Sequence, residues 1–356
     1  MRVVVKVGTS SITDDDGSID VSAVAKVCRE LAVLRAEGHE LILVSSGAIA
    51  AGLPALGLSA RQRPKDSRTL QAVSAVGQAR LMAVYRDVFD DVDGAMVPGQ
   101  VLLAPTDFVN RRQYLHARST LTRLLELDVV PIVNENDAVA DDEIRFGDND
   151  RIAALVAQLV DAELLVLLTD AAGVFTADPR LDESASLIEE IVSVDAAMEA
   201  AAGGTGSSRG SGGMSTKLAA AKIAAWSGVR TVIAAADRPD VIAHAISGEP
   251  GVGTVVLAHD QRLAARKVWI AFAVGSCGRV VVDDGARRAL LGRGGSLLAA
   301  GVLRVEGEFD VDDAVEVCGA DGVAFAKGLV RVASGSLEAG DTGVVIHRDD
   351  LVVLPD

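Results

Sequence analysis

"RVVVKVGTS", residues 2–10, joins a β-branched apolar run to a turn of glycine and small hydroxyl residues. An apolar run this short, closed by glycine, reads as a strand buried on both faces. The same pattern returns in "ELILVS" (40–45), "VVPIV" (129–133), "LLVLLT" (164–169), "RTVIAA" (230–235) and "GTVVLA" (253–258). Helical periodicities lie between these runs, near 20–37, 67–91, 112–127, 150–160 and 214–227. Alternation of this kind predicts an α/β fold, a mostly parallel sheet sandwiched by helices. Ligands of such sheets bind beyond the carboxyl ends of the strands. The polar stretches just after strands are therefore where function should be sought.

Composition agrees with this class. Of the 356 residues 49% are hydrophobic but only 3% aromatic, so the core is aliphatic, which suits helices and buried parallel strands. The net charge of −16 argues against nucleic-acid binding by bulk electrostatics, yet leaves room for a local site for a small anion. Cys28, Cys277 and Cys318 are odd in number and form no CxxC pair, which points to reduced thiols rather than disulfides or zinc. "MRVVVKVG" is too short for a signal peptide, and the richest apolar stretch, 151–170, is interrupted by Asp161 and Glu163. The expectation is a soluble, cytoplasmic chain without a membrane span. After about residue 260 the texture changes to short strand-like runs with Gly and Asp turns and no long helical period. Two domains are expected, 1–260 and a small β-rich one over 268–356.

Four segments carry candidate chemistry. In "KVGTS" Lys6 lies on a run of valines; it is either a snorkelling or edge-strand lysine or a phosphate ligand. Gly8 and Thr9 form a turn whose N–H groups can face phosphate oxygens. In "GSGGMSTK", 210–217, glycines precede a helix start, and Lys217 in the first turn opposes the helix dipole and wants an anion. This is not a Walker loop, because the lysine follows the Ser/Thr pair. "SSGAIAAG", 45–52, can bind a carboxylate or phosphate through hydroxyl and N–H groups; it is not GxSxG, and the five histidines show no triad-like context. "NENDAVADDEIRFGDND", 134–150, holds seven carboxylates and three asparagines without EF-hand spacing. Asp148, Asn149 or Asp150 could cap the following helix, but the whole set exceeds what capping needs.

Taken together, "VVKVGTS", "VSSGAIAAG", "AVGQARL", "VNENDAVA", "RFGDNDR", "LLTDAAGVFTADP" and "GSGGMSTK" resemble, in order and context, the glutamate 5-kinases of the amino-acid kinase family. The resemblance runs from residue 2 to about 260, and the region after 265 is similar to a PUA domain. It implies a catalytic amino-acid kinase domain that phosphorylates the γ-carboxylate of L-glutamate with ATP and Mg2+, the first step of proline synthesis. By the same resemblance Lys6 and Lys217 neutralise the transferring phosphoryl group and Asp150 orients them. Ser46, Gly47, Asn134, Asp137, Asp148 and Asn149 bind glutamate, with Asp137 suited to its α-ammonium. Lys6, Gly8, Thr9, Thr169, Asp170 and Ser211, Gly212, Gly213, Met214, Ser215, Thr216 and Lys217 hold ATP. No protein-bound metal is implied, Mg2+ riding mainly on the ATP phosphates. Implied too are proline as a feedback inhibitor, hand-off of product to glutamyl-phosphate reductase, and a homo-oligomer, dimer or tetramer. Asp141, Asp142 and Glu143 are left outside the site as a solvated connector.

Two departures stand out. Ser211 occupies a position where threonine is more usual, and the tail after "GLV" (328–330) lacks a segment that many relatives carry. PUA modules bind RNA in other proteins, but residues 268–356 hold 14 acidic and 8 basic residues, a balance that disfavours a phosphate backbone. Nucleic acid is therefore not an expected partner. Among other acceptors, N-acetylglutamate has no cation for Asp137, and a nucleotide monophosphate calls for basic residues at the acceptor site.

Overall fold

The computed structural model describes residues 1–59, 63–139, 149–179, 181–202, 213–260, 262–337 and 343–354. The chain divides into two compact units, Met1–Arg262 and Leu263–Asp356. In the first, strands β1 (Arg2–Val7), β2 (Glu40–Ser45), β3 (Val97–Leu103), β4 (Val129–Glu135), β5 (Leu164–Thr169), β6 (Glu190–Ile191), β7 (Arg230–Ala235) and β8 (Thr254–Val256) form one sheet. The helices are α1 (Val21–Ala36), α2 (Ala48–Gly52), α3 (Ser67–Val92), α4 (Pro105–Val109), α5 (Arg111–Glu126), α6 (Asn149–Leu159), α7 (Ala196–Ala201), α8 (Met214–Trp226) and α9 (Val241–Ser247).

The strand order is β3-β4-β2-β1-β5-β7-β8-β6. Neighbours run parallel except β7 and β8. This is the α/β sheet that the apolar runs predict. β1 lies between β2 and β5, with Val7 opposite Ser45 on one side and Leu168 on the other. Val3, Val4, Val5 and Val7 are fully buried, as expected of a strand covered on both faces. Such a strand has no solvent face on which a lysine could lie, so the edge-strand reading of Lys6 fails.

β3 escaped the sequence reading because Pro98 and Gly99 read as a turn. It is an edge strand, where a proline costs no ladder bond on its open side. Two glycines set the position of α3. A Cβ on Gly77 would fall 1.7 Å from the Ala48 carbonyl oxygen, and one on Gly52 would fall 2.2 Å from that of Val73. The α2 and α3 backbones therefore touch, and α3 is held directly against the turn that leaves β2.

The second unit has its own core, including Val280, Val282, Val315, Val317 and Ile346. Its strands are β9 (Gly278–Val282), β10 (Leu297–Leu298), β11 (Val302–Glu306), β12 (Ala314–Cys318), β13 (Ala324–Val330) and β14 (Val344–Val353), in the order β10-β14-β13-β12-β9-β11. Besides the short α10 (Ala265–Val268) it contains α11, Asp284–Arg293, ten residues of helix where no helical period was expected. Gly285 and Gly292 weaken its propensity, but Asp283 caps it, accepting from the Ala286 N–H at 2.7 Å, and Gly294 ends it in the left-handed region. No helix among the described residues is long and apolar enough to cross a membrane.

The backbone contact of α2 and α3 yields a stability test. Gly77→Ala should destabilise the protein by about 2 kcal/mol or more through overpacking, seen as a lower denaturation midpoint. An exposed-glycine control, Gly38→Ala, faces no neighbour within 4 Å and carries only the strain of its positive φ.

Candidate active site

The polar residues that follow the central strands converge beyond their carboxyl ends. Lys6 is the next-to-last residue of β1 and is only 3% exposed. Its Nζ lies 2.5 Å from Asp150 Oδ1. Lys217 reaches the same carboxylate from α8, with Nζ 3.0 Å from Oδ2. Asp150, in the first turn of α6, is fully buried, and Lys217 is 5% exposed. Two ammoniums thus flank one carboxylate, leaving a buried excess of one positive charge among the described residues. A charge in that position needs an anionic partner. Burial alone would raise the Asp150 carboxyl pKa, but the ammoniums of Lys6 and Lys217 outweigh it and bring the pKa down to about 2.

Thr216 adds to the cluster. Its hydroxyl lies 3.1 Å from Asp150 Oδ2 and 2.8 Å from the Gly213 carbonyl oxygen, and can donate to either. Gly213 is the N-cap of α8 and gives no side-chain cap, so the N–H groups of that helix end at Met214, Ser215 and Thr216 are not capped by it. Gly8 sits under the Lys6 ammonium, where a Cβ would fall 3.4 Å from Nζ. Thr9 opens a 3-10 turn beside it, spanning Thr9–Ser11. On the β5 side, the Thr169 hydroxyl donates to Asp170 Oδ1 at 3.1 Å, and the Thr169 carbonyl accepts from the Ala236 N–H at 2.7 Å.

On the β2 and β4 side, Asn149 ties three segments together. Its Nδ2 donates to Ser46 Oγ at 3.0 Å and to Asn134 Oδ1 at 2.9 Å, while its Oδ1 accepts from the Glu135 N–H at 3.1 Å. Asn134 is buried, and its Nδ2 has no hydrogen-bond partner among the described residues. An orphaned buried donor here fits an oxygen of a ligand. Gly47 turns the chain from β2 into α2 with φ of 102°, and a Cβ there would meet Ile12 Cδ1 at 2.9 Å. Asp137 accepts from the Ser74 hydroxyl at 2.6 Å.

Neither Asn149 nor Asp150 serves as a helix cap, since both direct their side chains into the site. Asp148, Ser211 and Gly212, and the connector residues Asp141, Asp142 and Glu143, lie outside the described residues. The sequence reading gave no role to Ser74 or Tyr85, and none to Ser45 beyond its place in the SSGAIAAG stretch. Tyr85 is fully buried on α3, its hydroxyl 2.7 Å from Ser45 Oγ, which in turn donates to the Ser46 carbonyl at 2.9 Å. Burial pushes the Tyr85 phenol pKa up, so it stays a neutral hydroxyl. The signal was available: Ser74, Gln78, Leu81 and Tyr85 recur at helical spacing, placing three polar groups on one buried face of α3.

The strand order places the Lys6 position of β1 between two sets of groups. Acidic, amide and hydroxyl groups lie toward β2 and β4, and the Thr169 pair with the N-terminal end of α8 lies toward β5. That arrangement suits two ligands meeting at a cationic centre. A model of the amino acid kinase family matches residues 1–235 and a model of the PUA domain matches residues 278–350. The chain belongs to the amino acid kinase family. Carbamate kinase from Giardia lamblia bound to AMP-PNP shares the fold, with a TM-score of 0.51 at 18% identity over 72% of this chain and 98% of that one.

Curated relatives narrow the assignment within the family. Glutamate 5-kinases of Pelobacter propionicus and Geobacter metallireducens are each 45% identical to it, over 99% of this chain and 97% of theirs. That of Burkholderia ambifaria is also 45% identical, over 99% of this chain and 98% of its own. The chain falls among the glutamate 5-kinases.

Loss of the central carboxylate should expose its role. Asp150→Asn leaves two buried ammoniums without a counter-charge and should lower stability by about 3–5 kcal/mol. The Asp150 pKa is depressed on folding, so its contribution is present in full above the ordinary carboxyl value. It is lost only as pH falls toward about 2. Denaturant unfolding should therefore show a level difference between wild type and variant from about pH 5 to pH 8, shrinking only below about pH 4. A difference that faded near neutrality would contradict the ion-pair geometry.

Proposed function

We infer that the protein transfers the terminal phosphoryl group of ATP to the γ-carboxylate of L-glutamate, forming L-glutamyl 5-phosphate at the head of proline synthesis. The observation that carries the reading is the buried Lys6–Asp150–Lys217 cluster with its excess positive charge, set at the ends of the central parallel strands.

The chemistry asks for little else. A glutamate side chain has an ordinary pKa of about 4.3, so the nucleophile is already an anion at neutral pH and needs no general base. The barrier lies in bringing that anion against a phosphate. Lys6 and Lys217 neutralise the charge that gathers on the transferring oxygens, and Asp150 holds both ammoniums in register, so that no reorganisation is needed during the step. The phosphates lie over Gly8 and Thr9 and against the α8 end formed by Gly213, Met214, Ser215 and Thr216, with Thr169 and Asp170 also on the nucleotide side. By the resemblance Ser211 and Gly212 belong to the same ATP-binding set. Mg2+ arrives on the nucleotide and supplies further charge neutralisation. Glutamate lies on the other side, against Ser46, Gly47, Asn134, Asp148 and Asn149. Asp137 receives its α-ammonium, and the orphaned Asn134 amide donates to one of its oxygens. We place the catalytic domain at residues 1–260 and the PUA-like domain at 268–356.

Cytoplasmic location, proline as a feedback inhibitor, hand-off of the labile acyl phosphate to a glutamyl-phosphate reductase and homo-oligomerisation belong to the same reading and rest on the resemblance. RNA is not a partner in it. In the second unit Arg266, Arg279, Arg287, Arg304 and Arg331 each pair with a carboxylate, which supports a structural or regulatory role.

Two experiments test the reading. An ATP-coupled assay offering glutamate, aspartate and N-acetylglutamate, with the acyl phosphate trapped by hydroxylamine, should give product with glutamate alone. Lys6→Ala and Lys217→Ala should each lower kcat by about 100-fold or more. Near-normal turnover by Lys217→Ala at saturating ATP would refute its role.

A further inference from the structure

Asp137 stands in the turn that leaves β4, and its backbone position is set nearby by the Asn136 N–H donating to the Leu103 carbonyl at 2.9 Å. Backbone placement alone does not fix a carboxylate, which can still rotate about two side-chain torsions. Among the described residues Ser74, 63 residues away in sequence, reaches it from outside the turn, its hydroxyl 2.6 Å from Asp137 Oδ2. That distance falls in the range of a charge-assisted O–H···O⁻ bond, about 2.5–2.7 Å.

Three features make Ser74 more than an ordinary helix serine. A hydroxyl in a helix interior commonly bonds back to a carbonyl one turn earlier, whereas Ser74 directs its hydroxyl across to another element. It is 1% exposed, so water does not compete for it. It also sits on the stretch of α3 locked by backbone contact with α2, between Val73, which faces Gly52, and Gly77, which faces Ala48. The donor is thus carried on a stretch of α3 whose backbone is in direct contact with α2, which limits how far it can follow Asp137 if that side chain turns.

We propose that Ser74 is a specificity-setting positioning residue, which holds the Asp137 carboxylate in the orientation that receives the free α-ammonium of the acceptor amino acid. It touches neither the phosphoryl group nor the reacting carboxylate, so its effect falls on acceptor affinity and on discrimination rather than on the transfer step. A carboxylate oriented in advance loses less freedom when the cation binds. The proposal rests on the reading of Asp137 given above.

The test uses the full-length protein and two acceptors, glutamate and glutarate, the latter a dicarboxylate of equal length without the ammonium. Ser74→Ala removes one oxygen and should raise the KM for glutamate by about 10-fold, leave the KM for ATP and kcat within about twofold, and lower the glutamate-to-glutarate ratio of kcat/KM by about 10-fold. Added to Asp137→Asn, it should produce no further change in that ratio. A parallel fall of kcat/KM for both acceptors would mark Ser74 as merely structural and overturn the proposal. Asp137→Asn separates the two levels. If it collapses the ratio while Ser74→Ala does not, the role of Ser74 fails and that of Asp137 stands. If Asp137→Asn leaves the ratio unchanged, the reading of Asp137 fails and the proposal falls with it.

Discussion

The carboxylate of Asp150, closed in between the ammoniums of Lys6 and Lys217, is the contact on which the site's geometry depends. Each of the three side chains comes from a different element, β1, α6 or α8, and each would be expensive to bury alone. Together they hold the first turns of two helices against the end of the central strand. Among the described residues two positive charges meet one negative there, so the cluster is not balanced in charge. That imbalance is buried, with all three residues at 5% exposure or less, and is of a kind that an anion would offset.

Everything around the cluster can be understood as support for it. The aliphatic sheet places β1 centrally and buries it on both faces, which keeps Lys6 in a low-dielectric setting where its charge acts strongly. The order of strands separates the amide and hydroxyl groups near β2 and β4 from the Thr169 pair near β5. On the β2 and β4 side the glycine contacts of α2 and α3 remove the spacing that side chains would impose. This brings the polar face of α3 within hydrogen-bonding reach of both the β2 turn and the β4 turn.

Sequence reasoning went furthest where local pattern and burial agree. The apolar runs of β1, β2, β5 and β7 have the bounds that their periodicity predicts, because a strand buried on both faces must be apolar at nearly every position. It failed where tertiary context overrides local preference. β3 carries Pro and Gly that read as a turn, and only its place at the sheet edge makes them tolerable. α11 carries two glycines yet forms, because its cap and its packing compensate. For Lys6 the local pattern left two readings open, and the neighbours of β1 removed the edge-strand one. For Asn149 and Asp150 the capping reading was reasonable locally, but their side chains serve partners that lie far away in the chain.

The class of fold, the stretches that carry polar chemistry, and a family resemblance resting on seven motifs in order are all legible along the chain. These are properties of short windows, set by periodicity, turn chemistry and residue type. Which of those residues meet depends on how the sheet and helices pack. Packing brought one carboxylate of an acidic run of seven between two lysines 211 positions apart, and gave Ser74 and Tyr85 their partners near the ends of β4 and β2. The physical reason is that an ion pair or a buried hydrogen bond depends on distance in space and exclusion of water. Neither quantity is written in the local pattern; both arise only when sheet and helices close around the site.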